Sequence, residues 1–207
     1  EREEHRLMLK AFTDKGKTVM KKLFEKKKYD TLFSVILKRP FRNDDTANSE
    51  MLYNLLWPLS MSERDRIWTL NISEEWGDGR MVMELAKWGI YASSDALLRI
   101  DTEVLRHCAE TLVWTFTSTW RQLRDTSTHA LVNLLAECKE LILPLLTKFY
   151  KINDPYVEER LWASVFGALT CCQDSATACE VAVWVYSHIF ESKQVPENIL
   201  VRDYAKG

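Results

Sequence analysis

Three groupings in this chain of 207 residues have the side-chain types for chemistry. The string Ala11-Phe12-Thr13-Asp14-Lys15-Gly16-Lys17-Thr18 follows the order of a phosphate-binding loop, with Ala in place of the first Gly. Such a loop cradles phosphates with backbone N–H groups, but it needs an apolar strand before it and further parallel strands after it. The preceding residues, Glu4-His5-Arg6-Leu7-Met8-Leu9-Lys10, do not read as a strand, so no nucleotide site is expected. Cys171, Cys172, Cys179 and His188 could ligate zinc by type. They fall on continuous helical patterns, however, whereas zinc sites use a ligand pair roughly two to four residues apart on a turn. His107 and Cys108 are adjacent, and neighbouring helical side chains diverge by about 100°, which rules out a Cys–His nucleophilic pair. The expectation is a chain with no catalytic residue, cofactor or metal.

What remains is recognition. Of the eight tryptophans, Trp57, Trp88, Trp114, Trp162 and Trp184 lie inside apolar helical runs and read as core. Trp76 and Trp120 fall in predicted inter-helix turns beside Arg80 and Arg121, and exposed Trp with Arg is the usual material of a partner-binding hot spot. Those four are the candidate partner-binding residues; the competing expectation is that each ring folds back as a plug at the end of its hairpin. From Lys15 to Lys28 the chain carries seven lysines against Glu25 alone. Val19, Met20, Leu23 and Phe24 interleave with them at one-stripe spacing, so the patch reads as the solvated face of a packed helix.

The formal net charge of −2 argues against a dedicated nucleic-acid surface, which needs a strong basic excess. No run approaches the roughly 18 to 20 apolar residues that span a bilayer. The first residues, Glu1-Arg2-Glu3-Glu4-His5, are unlike a signal peptide, and a cytoplasmic protein is expected. All five cysteines sit inside apolar helical runs, which suits reduced core thiols.

The elements that must position these residues are helices. Six Gly and five Pro are too few for a turn-dense β sandwich. The phrases Leu123-Arg124-Asp125, Asp154-Pro155-Tyr156-Val157 and Val201-Arg202-Asp203-Tyr204-Ala205 each open an apolar run. Acidic or Asn/Asp/Pro beginnings of this kind satisfy the free N–H groups of a first turn. The starts at Leu123, Val157 and Val201 lie 34 and 44 residues apart, which brackets one helical hairpin of a repeat array.

Ser62-Glu63-Arg64-Asp65 resembles a capping box, Asp101 is expected to cap a helix, and Val104, Leu105, Cys108, Ala109, Leu112, Val113 and Phe116 give the strongest periodicity in the chain. Residues 117–122 read as a connection. Residues 176–190 are apolar nearly all round, so both sides are expected to be covered. Arg124-Asp125 and Arg202-Asp203 are candidates for pairing between neighbouring repeats. The expected fold is all-α, an α-solenoid of stacked antiparallel helix pairs of HEAT/armadillo type. Residues 1–45 form a basic helical segment and linker, and residues 46–207 form the repeats. The absence of an initial Met and a last helix only just begun suggest a fragment of a longer chain.

Specific strings carry a resemblance as well. Ser62-Glu63-Arg64-Asp65-Arg66-Ile67-Trp68-Thr69, Leu112-Val113-Trp114-Thr115-Phe116-Thr117-Ser118, Leu123-Arg124-Asp125 with Ala130-Leu131-Val132, Asp154 to Leu161 with Gly167, and Ile199 to Ala205 occur in an order that resembles the helical-repeat region of large bacterial STAND-type antiphage NTPases. The likeness covers about residues 60 to 207. It implies a sensor that binds a phage portal or large terminase subunit, or a connection between sensor and NTPase core. It also implies that ATP, magnesium and oligomerisation belong to the longer parent protein, whose NTPase and effector modules this sequence does not contain. A generic HEAT-like scaffold joining other proteins is the alternative.

Overall fold

Side-chain oxygens start most of the helices. The computed structural model describes residues 14–26, 28–38, 47–191 and 197–207, and all regular elements among them are helical. They are α1 (Asp14–Glu25), α2 (Tyr29–Leu37), α3 (Ser49–Leu56), α4 (residues 61–72), α5 (Gly77–Tyr91), α6 (Ser94–Leu97), α7 (Thr102–Thr115), α8 (Arg121–Glu137), α9 (Ile142–Phe149), α10 (Pro155–Cys172), α11 (residues 175–190) and α12 (Ile199–Lys206). The first three residues of the phosphate-loop string, and residues 39–46 of the expected linker, lie outside the described residues.

Asn48, Asp101, Asp154, Asp174 and Asn198 each accept a hydrogen bond from the backbone of the first turn they precede. Each such cap is worth about 0.5 to 2 kcal/mol. Asp154 is followed by Pro155 at the first helical position, where its missing N–H costs nothing. The capping box belongs to Ser60 and Glu63, two residues earlier than the string at Ser62 suggests. Two helices contain a π-helical turn, Asp65–Thr69 in α4 and Tyr186–Phe190 at the end of α11.

α8 is the centre of the packing, with α5 on one side, α10 on the other and α7 against it. Its stripe of Leu123, Ala130, Leu131, Leu134 and Leu135 is buried, as is the whole periodic face of α7. Gly89 lets α5 approach closely: a Cβ there would lie 2.8 Å from the Cβ of Ala130. Asn133 then closes the contact by donating to the carbonyls of Gly89 and Ala92.

Between α8 and α10, Arg160 meets Asp125 at 2.8 Å, and seven residues further along each helix Gly167 faces Val132. The two helices therefore run in the same direction. The same holds for α5 with α8, through Gly89–Ala130 and Ala92–Asn133, and for α10 with α12, through Glu159–Asn198 and Phe166–Tyr204. On the other side of this row lie α7, α9 and α11, joined by the ring contacts Trp114–Phe149 and Tyr150–Trp184. α2 buries Leu32, Phe33, Val35 and Ile36 in the same core, with Phe33 edge-on to Trp68 at 5.0 Å.

Several expectations are corrected here. α11 is not covered on both sides, since Val183 is 65% and Tyr186 63% exposed and Ala182 is exposed as well. Residues 121 and 122 belong to α8 and not to a connection. Cys108 and Cys138 are core thiols, but Cys171 and Cys179 are exposed. Asp125 does form an inter-helix ion pair, though with Arg160, while Arg124 donates to the Ser118 carbonyl. α1 keeps Val19, Leu23 and Phe24 against the core and Lys21, Lys22 and Lys26 exposed, as a solvated basic face requires.

Replacing Leu131 or Leu161 with Ala should lower unfolding free energy by about 2 to 5 kcal/mol, since both are buried in the packed stripes. Gly89→Ala should cost about 1 to 3 kcal/mol by forcing α5 and α8 apart. Urea unfolding measures all three, and a Leu131→Ala loss well under 1 kcal/mol would contradict this placement of α8.

Candidate functional site

The two turns that carry the candidate tryptophans are tied together. Ser73 Oγ and Ser118 Oγ are 3.0 Å apart, the Thr119 N–H donates to Ser73 Oγ at 2.9 Å, and the Trp120 N–H donates to Ser118 Oγ at 3.1 Å. Trp76 precedes α5 and is 68% exposed, because Gly77 in a left-handed conformation (φ 57°) turns the chain into the helix directly behind it. Trp120 precedes α8 and is half-buried against the core, so its ring is partly the plug of the competing expectation.

Arg80 and Arg121 are not turn residues. They sit in the first turns of α5 and α8, where Arg121 is 85% exposed and lies 3.4 Å from Asp125. Nor do the four residues converge on one pocket. Trp76 lines a depression with Thr31, Leu70 and Asn71, whereas Arg80 lines another with Leu37, Met81 and Trp88.

The same edge has residues that the sequence did not single out. Met61, Leu70 and Tyr156 are exposed and border a groove of about 580 Å³ between α4, residues 117–119 and the start of α10. Arg66 and Arg124 line it too, and the Arg124 guanidinium lies over the Tyr156 ring at 5.6 Å. Leu70 stands two residues from both Trp68 and Ile72, which are buried, so it lies on the opposite face of α4 and points out.

Beneath the groove is a buried charge pair. Arg64 has no exposed side-chain surface and places Nη1 3.3 Å from Asp154 Oδ2. Its remaining donors reach the carbonyls of Leu56 and Leu59 and Asn153 Oδ1, and its guanidinium lies 5.2 Å from the centre of the Trp114 ring. Burial pushes the Asp154 carboxyl above its ordinary value, opposed by the Val157 N–H, Arg64 and the Tyr156 N–H, which all favour the ionised form. Burial likewise lowers Arg64, opposed by Asp154. The pair is a frame for the edge: Arg64 is wholly buried, and Asp154 touches the groove with only 3% of its side chain exposed.

A second polar cluster joins α3, α7 and α9. Ser49 Oγ lies 2.6 Å from Glu110 Oε2 and 2.7 Å from His107 Nδ1. The residue types are those of a nucleophilic triad, but the order is wrong. A carboxylate only accepts, so the Ser49 hydroxyl gives its hydrogen to Glu110 and not to the imidazole, while His107 must donate to Ser49. All three are buried. Arg106 and Lys148 complete the cluster by pairing with Glu110, and Lys148 with Glu50.

Cys108 does not assist this histidine as a nucleophile, because burial pushes its thiol up to about 12 and keeps it protonated. Cys138 is pushed to about 11 by burial, Glu140 and Glu137. His188 stacks on Trp184 at 4.1 Å and contacts the Trp184 carbonyl through Nδ1 at 2.8 Å. Among the described residues no three His, Cys, Asp or Glu side chains are grouped to hold a metal. No helix among them is long and apolar enough to cross a membrane.

Arg64→Ala should cost about 3 to 5 kcal/mol in urea unfolding, because it leaves Asp154 buried without its cation. A loss under about 1 kcal/mol would mean that the pair is not holding these turns. A thiol reagent should modify Cys171 and Cys179 in the native protein and reach Cys108 and Cys138 only after unfolding, as mass spectrometry of digests will show. Compared with protein-family models, with curated proteins and with solved structures, the chain matches none.

Proposed function

We propose that this chain is a non-catalytic protein-recognition segment, an α-solenoid of antiparallel helix pairs of HEAT/armadillo type that offers its turn edge to a macromolecular partner. One observation carries the reading. α5, α8, α10 and α12 are neighbours in chain order and run in one direction, with contacting residues 41, 35 and 39 positions apart. That spacing supports a repeated helical hairpin, and stacks of this kind work through extended surfaces more than through one deep pocket. The apolar side chains of Met61, Leu70, Trp76 and Tyr156, left outside the core along one edge, supply the anchors that such a surface uses.

Taken with the resemblance of residues 60 to 207 to the repeat region of STAND-type antiphage NTPases, the partner is a phage protein such as a portal or large terminase subunit. The segment either senses it directly or joins the sensor to the NTPase core of a longer, oligomerising protein in which ATP and magnesium are bound elsewhere. A cytoplasmic setting suits the exposed free thiols of Cys171 and Cys179.

Calorimetry of the chain with purified portal and large terminase subunits tests the proposal. A complex with one of them is expected, weakened by about 1 to 2 kcal/mol in Trp76→Ala with no change in melting temperature. Trp120→Ala should lose stability as well as affinity, since its ring is half-buried. No binding to either phage protein would sink the sensing role and leave a scaffold. Unchanged affinity in Trp76→Ala would move the contact surface away from this edge.

A further inference from the structure

The start of α3 is held on α7 by polar groups whose hydrogens can be assigned from their partners. Ser49 gives its only hydrogen to Glu110, so the 2.7 Å contact with His107 Nδ1 requires an Nδ1–H donor. A neutral ring then carries no hydrogen on Nε2, and this nitrogen accepts from the Asn48 side-chain amide, with Nδ2 at 3.4 Å. The other end of that amide is committed as well: Asn48 Oδ1 caps α3 by accepting from the N–H groups of Glu50 and Met51. The amide cannot turn its oxygen to the ring without uncapping the helix.

We propose that Asn48, Ser49 and His107 form an acid-sensitive clasp, closed while the imidazole is neutral and opened, with release of the first turn of α3 from α7, when Nε2 takes a proton. Protonation sets an N–H against the Asn48 N–H₂ group, so two donors face each other with no acceptor between them. The neighbouring charges do not relieve this. From α7, Arg106 and Glu110 face the ring and Glu103 lies one turn away; Glu50 comes from α3 and Lys148 from α9. Glu110 is already bound by Ser49, Arg106 and Lys148, and the two cations repel a third. The ring is only 3% exposed, so water cannot supply an acceptor in the closed state.

Burial first, then Arg106, hold His107 below the usual histidine range. Its sign follows from linkage. Above the ordinary histidine value the open and closed forms are both neutral and the clasp has its full strength. As pH falls below that value only the open form takes up the proton, and closure weakens until the lowered value of the closed state is passed.

Amide hydrogen exchange at Met51 and Leu52, corrected for intrinsic rates, tests the clasp. In the parent sequence, protection should fall about tenfold between about pH 7 and about pH 5.5. In Asn48→Asp a carboxylate keeps a capping oxygen and also offers an acceptor to Nε2–H. Protection should then persist to the lower pH, and the His107 ring resonance should titrate higher than in the parent. His107→Asn removes the titrating group and should flatten the profile; if that variant does not fold, the Asn48→Asp comparison stands alone. The same pH dependence in the parent and in Asn48→Asp, or full protection at the lower pH in the parent, would overturn the proposal.

Discussion

A guanidinium that reaches no water has to find its acceptors inside the protein, and Arg64 finds them on two turns far apart in the chain. The carbonyls of Leu56 and Leu59 lie just ahead of its own helix, whereas Asn153 and Asp154 lie 89 and 90 residues further on. Few arrangements satisfy all of these donors at once, so the turn after α3 and the turn before α10 are fixed against each other. Asp154 extends the constraint. One oxygen starts α10 and the other pairs with Arg64, so a single carboxylate sets both the beginning of one helix and the position of another. The Coulomb gain of such a pair is largely offset by the loss of hydration. Its contribution is one arrangement of turns, and the groove bordered by Met61, Leu70 and Tyr156 inherits its shape from that arrangement.

What the sequence reveals and what it hides divides along the range of the forces. Caps are local: an Asp or Asn oxygen meets an N–H two or three residues on, so Asp101 and the Asp154-Pro155 start are visible without a structure. Stripes are nearly local, because a period of 3.6 residues repeats many times in α7 and α8. The capping box is at Ser60 although the sequence also offers Ser62, because two serines lie at workable distances from Glu63 and Asp65. The π-helical turns at Asp65–Thr69 and Tyr186–Phe190 carry no compositional sign, so a strict 3.6-residue period does not carry through them. The Arg64–Asp154 pair has no signal at all. Two charges 90 residues apart among 28 basic and 30 acidic residues are indistinguishable from any other two until the chain is folded.

The candidate edge was legible to the same extent. A Gly-rich break and a Thr/Ser connection marked where Trp76 and Trp120 leave the helices, and the two turns do meet through Ser73 and Ser118. The sequence pattern starts these helices two or more residues late, which puts Arg80 and Arg121 in turns, whereas both belong to helices. That difference matters for recognition. A side chain in a first helical turn has a fixed base and a direction set by the helix, whereas a loop residue brings conformational entropy that binding must remove.

Besides Tyr91 and Leu98, exposed apolar side chains form two groupings of different character among the described residues. Along α11 and α12 the apolar surface is broad: Val183, Tyr186, Ile199 and Leu200 are exposed, and Trp162, Phe166, Ala178 and Tyr204 line a groove between these helices and α10. On the turn edge the apolar side chains are large and separate, with arginines among them and the buried Arg64 frame beneath. A helix needs a long continuous stripe to bury its own, while recognition of a folded protein surface is dominated by a few large anchors within a polar rim. The two groupings therefore differ in kind: the helix face is broad and continuous, and the turn edge carries a few large, separate anchors.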